Sequence, residues 1–303
     1  MNKYLPEGMA LHTPENKDYI TARGLNKAMA ENRIIEAPAI VCTTDHDLNV
    51  RLGDSIGIIP RDMAAIGISE GVTRDIAIIS RVGKPVCFKV HSTEPEILLS
   101  RRDAQEEALN WFLENLHPGD ILPCVVTHTA AFGAFVDIGC GIIGLIGIEN
   151  LSVSRISHSS DRVFAGQHIF AAVLTVDKNA RRITLTHKEL LGTWQENADM
   201  FQTGETVSGI VRGKKDYGLF VELTPNLSGL AEYREDINEG DCVSVYIKSI
   251  IPEKMKIKLI VIDKTAAPPR QKEIKYFQTS GSMRSWNYCT EESGRTVPGT
   301  IFY

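Results

Sequence analysis

A motif that occurs twice, about 86 positions apart, constrains this chain more than anything else in it. Phe132-Gly133-Ala134-Phe135-Val136 is answered by Tyr217-Gly218-Leu219-Phe220-Val221. The surroundings repeat in step. Gly204-Glu205-Thr206-Val207 restarts what Gly119-Asp120-Ile121 began, Gly229-Leu230 answers Gly144-Leu145, Gly240 answers Gly166, and Lys256-Ile257-Lys258-Leu259 answers Arg182-Ile183-Thr184-Leu185. Within each copy, apolar residues alternate with period two and are broken by Gly and Asx turns, which predicts five short strands. Repeats this long are tandem domains, each burying its own core, and not the units of a solenoid.

A weaker third copy lies upstream, where Leu52-Gly53, Gly57-Ile58, Gly83, Phe88-Lys89-Val90 and Ile97-Leu98-Leu99-Ser100 keep the register. It sets His46 and Asn49 against Phe132 and Phe135, and Glu94 and Glu96 against Asp177 and Arg182. Its connection carries an apolar run, Ile76-Ala77-Ile78-Ile79, which reads as an extra or extended strand. Ser100-Arg101-Arg102-Asp103 has the spacing of a helix-capping box, and Ala104, Ala108, Phe112 and Leu116 follow at four-residue intervals. Thr186-His187-Lys188-Glu189 repeats the box after the middle copy. The expected layout is an arm and short helix over 1–34, a degenerate barrel over 35–101, a helical linker over 102–118, a barrel over 119–188, a second linker over 189–203, a barrel over 204–263 and an aromatic tail over 264–303. Met1 to about Ile20 reads as a loosely held arm, Lys264 to Pro269 as a linker, and the aromatics beyond it as a small hairpin or strand packed back on a barrel.

Five short strands, a Gly-rich second strand, a longer connection before the fourth and a basic fifth match the closed Greek-key barrel called the OB-fold. The stretch from Gly119 to Lys188 resembles the RNA-binding repeat of the ribosomal protein S-one family. The fold this implies is mainly β, three tandem five-stranded OB-fold barrels of S-one type joined by short helical linkers. The resemblance also implies that Phe132, Phe135, a third-strand histidine, Asp177 and Arg182 line an RNA face. The chain departs from that pattern at Gly147, which stands where the histidine belongs, and the third copy offers Glu232 there and Ile251 in place of Asp177.

Phe132 and Phe135 differ in parity along one strand, so both rings face solvent only if Gly133 introduces a bulge or bend. The net charge of −5 argues against simple phosphate binding, so charge has to be judged locally. Arg212, Lys214 and Lys215 precede Tyr217, while Lys256 and Lys258 alternate with Ile257 and Leu259 on the last strand. The six cysteines and eight histidines are scattered without a metal-ligand or disulfide pattern, and no carboxylate cluster marks a catalytic centre. No cofactor, metal or catalytic residue is therefore expected. No run of some 18 apolar residues spans a membrane and no secretory leader opens the chain, which reads as cytoplasmic with no membrane partner.

The expected function is a non-enzymatic hold on single-stranded RNA, messenger RNA in translation. Bases would stack on Phe132, Phe135, Tyr217 and Phe220, and Arg182, Arg212, Lys214, Lys215, Lys256 and Lys258 would frame them. By the resemblance, the first barrel contacts the small ribosomal subunit. The alternative is an OB-barrel scaffold for protein–protein contacts that binds little RNA. The missing histidine, Glu232, Ile251 and the acidic balance favour it.

Overall fold

The computed structural model describes residues 3–265, 273–294 and 299–303. The expected linker residues 266–269 lie outside them. Three closed barrels follow one another, each with the same strand order, in which the third strand runs parallel to the fifth and the fourth pairs back to the first.

The first barrel is built from β1 (Ile35–Cys42), β2 (Leu48–Leu52), β3 (Ser55–Ile59), β4 (Pro85–Ser92) and β5 (Leu98–Ser100), preceded by α1 (Pro14–Tyr19) and α2 (Ala22–Ala30). Thr13 and Thr21 cap these helices with their hydroxyls. The run at Ile76–Ile79 is a short helix, α3, not a strand. Ile78 alone of the four is buried, and Ile76 and Ile79 face solvent. One inward side chain in four is what a single helical turn presents, whereas a strand would bury two.

α4 (Arg101–Asn115) follows at once, with Ser100 Oγ accepting from the Asp103 amide at 3.1 Å. Its Ala104, Ala108, Phe112 and Leu116 are buried against the second barrel, made of β6 (Ile121–Ala130), β7 (Gly133–Asp137), β8 (Ile143–Gly147), β9 (His168–Asp177) and β10 (Arg182–Thr186). Arg181 at the β9–β10 turn reaches back to Glu106 (2.6 Å) and Asn110 (3.1 Å) on α4. α5 (Trp194–Ala198) leads into the third barrel. Here the complete capping box is Thr193 with Glu196, seven residues later than the Thr186 spacing suggested. Thr186 instead bonds the Glu189 carboxylate side chain to side chain. The third barrel comprises β11 (Thr206–Lys215), β12 (Gly218–Thr224), β13 (Leu227–Ala231), β14 (Cys242–Ile251) and β15 (Lys256–Lys264). No helix among the described residues is long and apolar enough to cross a membrane.

Polar contacts seal both seams between barrels. Residues 3–20, expected as a loose arm, are held: Tyr4 is buried, and the Glu7 carboxylate lies in an almost fully buried pair with Arg101 (2.7 and 2.9 Å). Arg101 holds Glu7 below the ordinary carboxylate range against the cost of burial. The Glu7 amide donates to Asp137 at 2.8 Å, and the Gly8 amide donates to Glu36 at 3.0 Å. Burial, with Glu7 nearby, pushes both Glu36 and Asp137 up to about 7. An arm that carries a charge into the first seam cannot be loosely held.

At the second seam Arg162 is buried and pairs with Glu222 through two bonds of 2.9 and 2.8 Å. Residues 273–294 and 299–303 lie along this seam. Their β16 (Ser285–Trp286) and β17 (Thr300–Ile301) form a two-stranded sheet, and Trp286 and Tyr288 join the third barrel's core. Tyr276 packs on Phe170 of the second barrel, and its hydroxyl lies 2.9 Å from His187 Nε2. His187 Nδ1 is 2.8 Å from the Leu151 carbonyl, which can only accept, so Nδ1 carries the proton and Nε2 accepts from Tyr276. Burial lowers this histidine to about 4.

Candidate nucleic-acid interface

The outward face of the second barrel is created by one extra residue in β6. Val126 pairs with Val136, but the next pair is His128 with Phe135, so Thr127 has no opposite number. In an unbroken strand His128 would share the inward parity of the buried Val126. The bulge reverses it, and His128 emerges beside Phe135. The expected bulge at Gly133 is therefore corrected: the irregularity lies one strand earlier. Gly133 pairs with Gly147 in regular register, and a Cβ there would run into the Ile146 carbonyl oxygen. Phe132 reaches solvent because it belongs to the turn before β7, where its carbonyl accepts from the Ile148 amide at 2.9 Å.

Three rings result. Phe132, 59% exposed, meets Phe135 edge to face at 5.8 Å, and the His128 ring lies at 27° to Phe135 with centroids 6.1 Å apart. Register continues the row outward from Phe135 to Leu145 on β8 and Thr184 on β10. The third barrel repeats the geometry with different groups. Arg212 is its extra residue, Gly213 sits opposite Phe220, and the row runs on through Leu230 to Lys258. Tyr217, 69% exposed, meets Phe220 edge to face at 6.1 Å. The first barrel has the same bulge, yet its row reads Val41, Asn49, Ile58 and Leu98, without a ring.

Among the expected cations, Lys215, Lys256, Lys258 and Arg182 are exposed. The others have structural employment. Arg212 bonds Glu222 at 3.2 Å and lies 3.6 Å from Asp161, so it belongs to the second seam. Lys214 donates to the carbonyls of Glu235 (2.8 Å) and Ile237 (2.6 Å), tying down the acidic loop. Asp177 accepts from the amides of Asn179 and Ala180 at 3.0 and 2.9 Å, which shapes the β9–β10 turn. Sequence reasoning passed over His128 as one of several scattered histidines. Its signal was the break in alternation between Val126 and Phe132, which acquires meaning only when β7 fixes the register.

Residues 116–188 match the S1 RNA binding domain family. Over 278 residues the chain is 29% identical to the small ribosomal subunit protein bS1 of Staphylococcus haemolyticus, covering 85% of this chain and 67% of the relative. The corresponding protein of a Staphylococcus aureus strain is 27% identical over 277 residues with the same coverage. A crystal structure of a multidomain protein with nucleic acid binding domains from Streptococcus pneumoniae aligns over 78% of this chain and 75% of that one, at 15% identity and a TM-score of 0.27. Residues 116–188 thus match an S1 RNA binding domain, and the chain along most of its length is similar to small ribosomal subunit proteins bS1.

Proposed function

We propose that the second and third barrels hold single-stranded RNA, with messenger RNA in translation as the ligand and the cytoplasm as the setting. The observation that carries this is the pair of exposed aromatic platforms at matching places on successive barrels, Phe132 with Phe135 and Tyr217 with Phe220. An exposed ring on a shallow barrel face suits unstacked bases, since a paired base offers no open face. Arg182, Lys215, Lys256 and Lys258 are the cations placed to meet phosphates. The first barrel, whose outer row has no ring, is assigned to protein contact. The names of the relatives make the small ribosomal subunit the partner to test first.

Fluorescence anisotropy with a labelled oligouridine tests this. Wild-type protein should bind at micromolar concentration or tighter, more weakly as salt rises. A Phe132→Ala/Phe220→Ala variant should bind about tenfold more weakly or worse, as removal of two stacking rings requires. The second reading, a protein-binding scaffold, draws on the engagement of Arg212 and Lys214 in the fold and on the net charge of −5. It is favoured if folded protein shows no RNA binding at low salt.

A further inference from the structure

We propose that the two ring-bearing barrels grip RNA by different chemistry. The second is a base platform of three rings, Phe132, Phe135 and His128, and the third is a two-ring platform whose added hold is on phosphate through Lys256 and Lys258. This rests on the RNA reading above and assigns the work within it.

The β-bulge places one residue of each first strand on the outer face beside the outward residue of the second strand, Asn49, Phe135 or Phe220. The first-strand residue is Val41 in the first barrel, His128 in the second and Gly213 in the third. His128 uses the position to lie against Phe135, its ring tilted by only 27°. Gly213 puts no side chain against the equivalent flank of Phe220. A Cβ built at position 213 would have the Phe220 side chain as its nearest neighbour, at 3.5 to 4.0 Å, an ordinary contact distance. The same place on the barrel thus holds an aromatic ring in one copy and no side chain in the other. His128 extends the π-surface on which bases stack, and it does so from a different strand than the one where Gly147 stands for a histidine.

The opposite end of the same row reverses the contrast. Leu145 leads to Thr184, whose hydroxyl lies 2.6 Å from that of Thr175 and is neutral. Leu230 leads to Lys258, with Lys256 two residues before it on the same exposed side. Around the second platform, Arg181 is tied to Glu106 and Asn110, and Lys188 to the Glu149 carbonyl and Asn150. Arg182 remains as the exposed arginine of that strand. Rings are concentrated on one barrel and cations on the next, so most of the salt dependence of binding belongs to the third barrel.

The test is anisotropy with an oligouridine of about twelve nucleotides, long enough for more than one barrel, over a salt series with the full chain. His128→Ala should weaken binding about tenfold and leave the slope of log affinity against log salt unchanged, while His128→Phe restores affinity. Lys256→Ala/Lys258→Ala should reduce that slope by about 1.4, the single-strand value for two phosphates. Gly213→His, which supplies the missing ring, should tighten binding. Phe135→Ala is measured alongside. If it weakens binding while His128→Ala binds like wild type, the three-ring assignment falls and the RNA reading stands. If the two lysines leave the slope unchanged, the division of labour falls. If the wild-type protein does not bind, both readings fall together.

Discussion

Arg162 shows at the scale of one residue how a charged side chain can be structural on a protein whose cations invite a functional reading. It and Glu222 are both nearly inaccessible to solvent, with Arg212 as a third partner. Removing one member of such a pair strands the other in a medium that solvates it poorly. Glu222→Ala should therefore cost about 3 to 5 kcal/mol, measured by denaturant unfolding, and loosen the second seam before the first. Sequence inspection had placed Arg212 and Lys214 among candidate phosphate ligands because they precede Tyr217. Proximity along the chain was a fair guide to their strand and no guide to their partners, since Glu222 is on the neighbouring strand and Asp161 in another barrel. The ring positions were legible because Gly flanked by two aromatics admits few placements. Thr127 was not, because a bulge is a property of a pair of strands.

At the level of elements, the strands of all three barrels could be read from alternation and turn residues, and the helix at Ile76–Ile79 could not. Four consecutive apolar residues carry no period with which to distinguish a buried strand from a helical turn. Residues 273–294 and 299–303 were legible only as too aromatic to be left in solvent. What fixes them is backbone geometry elsewhere: Gly119 has a φ of +93°, and a Cβ on it would collide with the Met283 carbonyl. The Gly119 carbonyl also accepts from the Met283 amide at 2.9 Å. Gly119→Ala should therefore dislodge residues 273–294 while leaving the second barrel closed. Hydrogen exchange should rise around Tyr276 and Met283, and cleavage there by a protease should accelerate. Gly166→Ala, at a positive φ but in open space, serves as the control for backbone strain alone.

For the molecule as a whole, Glu36 at the first seam and His187 at the second respond to pH in opposite directions. Glu36 titrates in the folded protein at about 7, above the ordinary carboxylate range, so folding favours its protonated form. Its contribution is fully present below the unfolded value and is lost as pH rises through the folded one. His187, lowered to about 4, does the reverse: the stability it supports is present above its unfolded value and is lost as pH falls toward 4. A Glu36→Gln variant keeps an acceptor for the Gly8 amide without the titration. Relative to wild type it should gain stability between about pH 5 and 7.5, read as a rising difference in unfolding midpoint. A midpoint difference that stays flat across that window would refute the assignment.

The fastening of residues around Tyr276 and Trp286 also bears on how the chain is made. Glu7 finds Arg101 only after 94 further residues and Asp137 after 130, and the third barrel's core is completed by Trp286 and Tyr288, which follow its last strand. A chain emerging from the ribosome exit tunnel can close its first barrel early, but it must then wait with a buried-type carboxylate still unpaired. The third barrel waits longest, with an open apolar flank until residue 288 has cleared the tunnel. Synthesis that stalls between Lys264 and Trp286 would release a chain with two finished barrels and one that exposes its core, an efficient target for chaperones and proteases.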